Sequence, residues 1–516
     1  MNPGPRQRGG GRQGRRERAE EAGPPRAVDY HNLANPFTPQ AVFTEDEVES
    51  LHQNALRVLQ ELGIRILLPE ARDRLKAVGA LVDDDSWMVR IGSDIVEQAL
   101  ASAPASFTLK GAHPGKDLLL APGRLSFKAG AGCPNVYDRT RGRRPGDLAS
   151  FIELMKLTQC FDVLQMQGAS LEPQDVPVHL RHYQTIRVQL TVGDKAPWIF
   201  CRGRGQVADA FEMIRILHGL SEEEFLSAPR STTVVNTNSP RQIDNPMAQG
   251  IIDFALNNQI CMITPFCLLG AMAPITVAGA LSLQHAEALA GITLSQVANP
   301  GAPVLYGNFA SNVDMKSGAP TFGTPEHIKA TLGSGQLARR VGLPWRSSAG
   351  SGANAADAQG AHETELSGWA ALLAGATAIM HSAGWLEGGL TFGYEKMITD
   401  LEMVQTFAEL CTRTPVNDAE MAFEAIADVA PGGHFFATGH TMERYRSAFY
   451  DPLVADHSNY GQWLEKGSQT ADQRATVIWQ DMLDNFEAPR RDEARLEALD
   501  AFIERRAAEG GAPPLS

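Results

Sequence analysis

DAQGAHETELSGWAALLAGATAIMHSAGWLEGGLTFGYEKMITD, residues 357–400, runs a helix, a short apolar strand and a glycine-rich turn one after another. The apolar run 374–380 is far shorter than the roughly 20 residues that span a bilayer. It gives way at once to His381, Trp385 and Glu387 among Gly384, Gly388 and Gly389. Aromatic, charged and conformationally free residues therefore gather where a parallel strand ends, and ligands of α/β proteins sit at the carboxyl ends of strands.

Upstream of this stretch the same strand-then-helix pattern repeats. Short apolar or β-branched segments occur at 125–129, 163–168, 197–201, 231–236, 261–266, 303–308, 344–348 and 376–382. Each is followed by a helical pattern, near 147–159, 181–192, 206–219, 246–258, 280–297, 325–341, 358–374 and 397–411. Eight consecutive units predict an α/β fold, a (β/α)8 TIM barrel over 122–411. Ahead of it, 30–121 reads as an N-terminal α+β extension. Thr44 and Glu47 form a capping box for a helix over 44–62 that stops at Gly63, helices follow at 69–77 and 93–102, and short strands lie near 64–68 and 87–91. Residues 412–516 read as a mainly helical C-terminal extension.

The 516 residues are 43% hydrophobic and 21% charged, the profile of a globular chain with no transmembrane run and no apolar leader, so a cytoplasmic protein is expected. Six cysteines without CxxC spacing indicate neither a disulfide framework nor a local zinc motif, and read as small buried hydrophobes. Residues 1–26 carry seven arginines and three glutamates, net +4, which leaves −18 for the rest of a chain whose total is −14. The Arg/Gly-rich tail 1–29 therefore reads as disordered, and the acidic body argues against nucleic acid as a partner. No metal site is expected: HxH after the first strand is missing, and His179 with His182 reads as a surface pair. No GxSxG elbow, P-loop or dinucleotide fingerprint is present, and the cluster Gly130, Ala131, Gly132 opens no helix.

Polar residues two apart recur in the strands: Ser126 with Lys128, Gln165 with Gln167, Asn236 with Asn238 and Tyr306 with Asn308. Since the outer face of a barrel strand meets apolar helices, such pairs are expected to point inward, either filling the barrel by mutual hydrogen bonds or lining a site at its rim. Tyr306, Phe309, Trp385, Phe392 and Tyr394 can present ring faces to a quaternary ammonium group. Glu387 reads either as a charge complement to that cation or as an ion pair or cap within its turn. Asp357 is well placed as an N-cap. No acid/base dyad emerges, so no catalytic residue of that kind is assigned.

These residues resemble the trimethylamine methyltransferase-like superfamily, which includes pyrrolysine-containing trimethylamine enzymes and pyrrolysine-free relatives acting on glycine betaine and other quaternary amines. The resemblance covers nearly everything after residue 30. It is carried by ANPFTP (34–39), LYGNFASNVDMKSGAPTFGTPE (305–326), DAQGAHE (357–363), HSAGWLEGGLTFGYEK (381–396) and GGHFFATGHT (432–441), with DPLVADHSNYGQWLEKGSQ (451–469) and EALDAFIERR (497–506). It implies a barrel that moves a methyl group from a substrate nitrogen to the Co(I) of a corrinoid on a separate protein, with no tightly bound cofactor of its own. Where trimethylamine enzymes carry pyrrolysine, this chain reads AGSGANAADAQ, which puts Gly350 and Ser351 at that place. A glycine betaine-like quaternary amine is thus expected. The alternatives are trimethylamine, or a barrel hydrolase or binding protein for a quaternary ammonium ligand. The substrate-binding set implied is Gln167, Asn236, Tyr306, Asn308, Phe309, Arg346, His381, Trp385, Glu387 and Tyr394, with Arg346, Asn236, Asn308 or His381 holding a betaine carboxylate. A cognate corrinoid protein and a homo-oligomer are the expected partners, and 412–516 is expected either to dock the former or to cap the barrel.

Overall fold

The computed structural model describes residues 29–515. All of the basic tail but Asp29 lies outside the described residues. Six parallel strands form the central sheet: β1 (Ser126–Phe127), β2 (Thr232–Val235), β3 (Ile260–Ile263), β4 (Val304–Gly307), β5 (Trp345–Ser348) and β6 (Ala378–Met380), in the order β1-β6-β5-β4-β3-β2. Nearly every residue of these strands is buried, and TTVV, ICMI, VLYG and AIM do not alternate apolar with polar, because helices cover one face and the interior the other. The helices between and after the strands are α1 (Leu148–Cys160), α2 (Val178–Val192), α3 (Arg204–His218), α4 (Asn245–Leu256), α5 (Val277–Ala298), α6 (Pro325–Arg340), α7 (Ala358–Leu373) and α8 (Tyr394–Leu410).

The regular sheet is a parallel half-barrel, and the full eight-stranded ladder is not formed. Segments 163–168 and 197–201 are not ladder strands. They lie between β1 and β2 on scattered backbone bonds: Gln165 N to Phe127 O (3.1 Å), Gln167 N to Ala196 O (3.2 Å) and Ile199 N to Thr232 O (3.0 Å). Two local causes break the ladder there. The Gln165 side-chain oxygen accepts the Phe127 N–H at 2.7 Å in place of a backbone carbonyl. Pro197 has no N–H to donate.

The N-terminal region is tied into this frame. Its helix Glu45–Arg57 has the Thr44/Glu47 capping box and ends in a π turn over Val58–Leu62. With the helix Ser93–Ser102 it packs on α5, which is buried on all sides from Ala280 to Gln296, its polar residues included. The small sheet Ile64–Ile66, Leu81–Asp83 and Met88–Arg90 gains a fourth strand, Gln242–Ile243, from the loop after β2. Of the C-terminal helices, Ala471–Asp484 lies on α8 and Glu493–Ala508 on α3. Among the described residues no helix is long and apolar enough to cross a membrane.

Two small sheets sit beyond the carboxyl ends of the strands. In one, Phe266–Leu269 pairs in parallel with Phe309–Asn312. In the other, the hairpin Asn135–Asp138 and Gly142–Pro145 is joined to Thr391–Gly393 and Trp385–Leu386. The sequence reading did not anticipate either, and both shape the site.

Candidate active site

A cavity of about 680 Å³ opens at the carboxyl ends of the strands. One wall is aromatic. Phe309 stacks on Phe266 with ring centroids 4.8 Å apart and meets His381 and Trp385 edge-on at 5.3 and 6.4 Å. The His381 and Trp385 rings lie 3.8 Å apart. This wall depends on backbone that ordinary residues avoid. His381 has φ 55°, a costly left-handed conformation, and is held by its Nδ1 at 2.7 Å from Ser348 Oγ. Gly389 has φ 105°, and a Cβ there would sit 2.3 Å from the Trp385 ring, so only glycine lets the indole lie flat. Trp198 and Phe200 contribute from another side, 6.2 Å apart.

The polar part of the cavity is cationic. Lys128, just beyond β1, is buried with its Nζ 3.3 Å from the centre of the Trp198 ring. Arg346 of β5 is buried too. It donates to the Asn308 carbonyl oxygen at 2.9 Å and lies 5.4 Å from the Phe309 ring, while its Nε has no partner. Among the described residues no carboxylate pairs with either cation. Burial pushes the Lys128 ammonium well below its usual range, with the charge of Arg346 adding to the effect. Burial alone takes the Arg346 guanidinium down to about 9. Burial, then Arg346 and Lys128, push His381 far down and keep its ring neutral. Asp244, the carboxylate on the cavity wall, is committed to capping α4 by accepting from Met247 N and to Asn238 Nδ2.

Of the residues expected to bind substrate, Asn236, Phe309, Arg346, His381 and Trp385 come together around this cavity. The others do not line it. Tyr306 faces the helix layer, its hydroxyl 2.9 Å from His285 Nδ1 of α5; a polar partner in that layer lets a polar residue point outward. Glu387 is spent on Arg143 of the hairpin, with paired bonds of 2.9 and 3.0 Å, so it complements no ligand charge. Tyr394 is buried beneath the helix Ala471–Asp484, bonded to Glu153 and 4.9 Å from Trp479. Gln167 abuts Gly193 at the end of α2. Asn308 acts through its backbone, its own Oδ1 accepting from Ala310 N at 2.7 Å. Phe392 is packed beneath Gly384 and Gly130.

Gly350 lies behind the aromatic wall, where a Cβ would come within 3.1 Å of the Trp385 indole. Ser351 donates to Glu363 Oε2 at 2.8 Å. Asp357 caps α7, accepting from Gln359 N and Gly360 N. His179 is exposed, whereas His182 is partly buried, 3.5 Å from Asp209. Among the described residues no group of three or more His, Cys, Asp or Glu is placed to hold a metal.

Sequence reasoning gave Lys128, paired with Ser126, an inward direction but no binding role, and passed over Trp198, Phe200 and Phe266. A signal existed for Lys128, which lies inside the apolar segment LSFKAG two positions after Ser126. None existed for Phe266, whose place depends on a strand beyond the main sheet.

The arrangement offers two unpaired buried cations beside a wall of ring faces. It can hold an anionic group and, a few ångströms away, a cationic or polarizable one.

A family model described as Trimethylamine methyltransferase (MTTB) matches residues 8–511. The chain is 33% identical over 472 residues, 91% of its length, to the glycine betaine methyltransferase of Desulfitobacterium hafniense strain Y51, of which 98% is covered. It is 29% identical over 448 residues, 86% of its length, to the trimethylamine methyltransferase of strain DCB-2 of that species, with 90% covered. Among solved structures, the monomethylamine methyltransferase of Methanosarcina barkeri superposes with a TM-score of 0.50 at 10% identity, over 88% of this chain and 90% of that one, a likeness of fold.

Proposed function

The chain belongs to the trimethylamine methyltransferase family, and from that premise we propose that it takes a methyl group from a quaternary amine bearing a carboxylate, of the glycine betaine kind, and passes it to a corrinoid on a separate protein. That it is an amine methyltransferase follows from the family and its relatives. The observation that carries the substrate class is the Lys128–Arg346 pair, buried on the cavity without a carboxylate of its own. A betaine carboxylate supplies the missing anion, each charge-assisted hydrogen bond contributing about 1.5–3 kcal/mol. Its ammonium end then lies against Trp385, Phe309 and Phe266, each favourable ring contact adding about 0.5–2 kcal/mol. Trimethylamine has nothing to offer the cation pair.

The same pair favours the reaction. In the ground state Lys128 and Arg346 attract the carboxylate but repel the nearby ammonium. As the methyl leaves, the nitrogen's charge is neutralised and the repulsion fades, so these side chains bind the transition state better than the substrate. His381, held neutral, orients the Trp385 face without adding a third charge. The corrinoid, when its carrier protein is docked, supplies the Co(I) nucleophile for the methyl carbon. Gly132, Gly388 and Gly389 are among the residues lining the cavity that such a partner must reach.

Around this site we read 163–168 and 197–201 as the second and third strands of a closed eight-unit barrel over 122–411, between an N-terminal region 30–121 and a C-terminal one 412–516. Their backbone bonds to Phe127 and Thr232 support this. Six free cysteines suit a cytoplasmic enzyme. The test is anaerobic mixing with a candidate corrinoid protein, reduced to Co(I) and shown to accept methyl groups from another enzyme, and a panel of glycine betaine, carnitine, proline betaine and trimethylamine. Loss of the Co(I) band with growth of methyl-Co(III) for a betaine, and not for trimethylamine, is the expected result. Reaction with trimethylamine alone, or hydrolysis of the ligand without methyl transfer, would overturn it.

A further inference from the structure

Glu287 of α5 is 1% exposed, and the mechanism above makes no use of it. A carboxylate so far from water is costly unless something compensates its charge. Among the described residues no Lys, Arg or His side chain pairs with it. Arg241 sends its guanidinium elsewhere, to the carbonyl oxygens of Leu62 and Gly63. What Glu287 holds is the loop after β2. Its Oε2 accepts from Thr237 Oγ1 and, at 2.6 Å, from Ser239 Oγ, and its Oε1 accepts from Arg241 N at 2.7 Å. Arg241 has φ 54°, a left-handed conformation that the last bond helps to hold. Burial raises the Glu287 carboxyl from its ordinary value, and the bonds from Ser239, Thr237 and Arg241 N oppose the rise.

Asn236, Thr237, Asn238 and Ser239 of this loop line the cavity, so the carboxylate lies one side chain behind the wall. The loop is also joined to the aromatic side. Asn236 Nδ2 donates to Thr264 O at 3.0 Å, and Ser239 Oγ lies 3.3 Å from the Sγ of Cys267, the residue after Phe266. Glu287 is thus on the Phe266 side of the cavity, where the ammonium end of a betaine lies. We propose that Glu287 is the charge complement of the quaternary nitrogen, acting across the Thr237–Ser239 loop rather than by contact, a positioning residue that sets the preference for a cationic head over a neutral one. The inference rests on the betaine reading and adds a full negative charge to its ring faces. A quaternary nitrogen has no N–H to donate, so it asks for a nearby field and not for a hydrogen bond. A carboxylate already occupied by Thr237, Ser239 and Arg241 supplies that field alone. Asp244 on the wall is partly exposed, so solvent screens its charge, whereas the charge of Glu287 acts through protein of lower dielectric.

Titration calorimetry on the purified full chain tests this with two ligands of one shape: glycine betaine, and tert-butylacetate, in which carbon replaces the nitrogen and the carboxylate is kept. The wild type is expected to bind the betaine more tightly. Glu287→Gln keeps the size of the side chain and an acceptor for Arg241 N but removes the charge. It is expected to raise the betaine Kd about 10-fold or more and to leave that of tert-butylacetate within about 2-fold, whereas a purely structural loss weakens both alike. Glu287→Asp, which restores the charge, is expected to recover most of the preference. Equal weakening of both ligands in Glu287→Gln, or no change in either, would overturn the proposal and leave the betaine reading standing. A wild type that binds neither ligand would overturn the betaine reading and the proposal together. Should Glu287→Gln not fold, a wild type that binds tert-butylacetate as tightly as the betaine overturns the proposal by itself.

Discussion

Lys128 is buried without a counter-ion, a situation that costs several kcal/mol, and one contact with the Trp198 ring returns about 2 at most. Such a residue is explained by what enters the cavity. Replacing Arg346 by Gln is expected to lower kcat/KM for glycine betaine about 30- to 1,000-fold, a loss of ~2–4 kcal/mol, while leaving the fold intact; steady-state kinetics and a melting curve check both. For Lys128→Met the informative readout is the pH profile. Because its ammonium pKa is depressed in the empty site, the site loses charge as pH rises through that value, so KM rises with pH in the wild type. In the variant KM is higher at low pH and stays level until Arg346, held down to about 9, loses its own charge, and an unchanged profile would count against this role. Arg346 was legible as a candidate because a basic residue inside a barrel strand has few structural uses. Glu387 was left between a charge complement and an ion pair because Arg143, its partner, lies 244 positions away on a hairpin that local pattern does not reveal.

The elements that build the aromatic wall are short and backbone-limited. Gly389→Ala places a methyl 2.3 Å from the indole at a φ of 105°, so the turn or Trp385 must move. The expected outcome is destabilisation by about 2 kcal/mol or more, read as a lower urea midpoint at unchanged slope, with turnover reduced in the fraction that folds. Helix positions were readable from apolar periodicity and end signals: the pattern at 280–297 became Val277–Ala298, and that at 325–341 became Pro325–Arg340. Six strands were readable as apolar runs. At 163–168 and 197–201 the regular ladder is interrupted by single residues, the Gln165 amide and Pro197, that divert backbone pairing without altering the hydrophobic pattern. The two sheets above the cavity join Asn135 to Thr391 and Phe266 to Phe309; pairings over such separations leave no local trace.

At the scale of the whole molecule, the interior keeps several histidines neutral. Burial takes His327 and His218 from 6.5 to about 4, the latter with help from Arg491, Arg230 and Arg495. The unfolded chain therefore binds more protons than the native one between these values. Stability is fully present above pH 6.5 and falls as pH drops toward 4, by up to ~1.4 kcal/mol per pH unit for each group. Urea denaturation at pH 7 and pH 5 is expected to show the lower midpoint at pH 5, and equal midpoints would contradict the assignment. The central claim, that the cavity recognises a cationic nitrogen and a carboxylate together, is tested most directly by titration calorimetry with glycine betaine and with tetramethylammonium, which lacks the carboxylate. The account predicts that the betaine binds about 30-fold or more tightly, roughly 2 kcal/mol, and that Arg346→Gln abolishes the difference. Equal affinity of the wild type for the two ligands would contradict it.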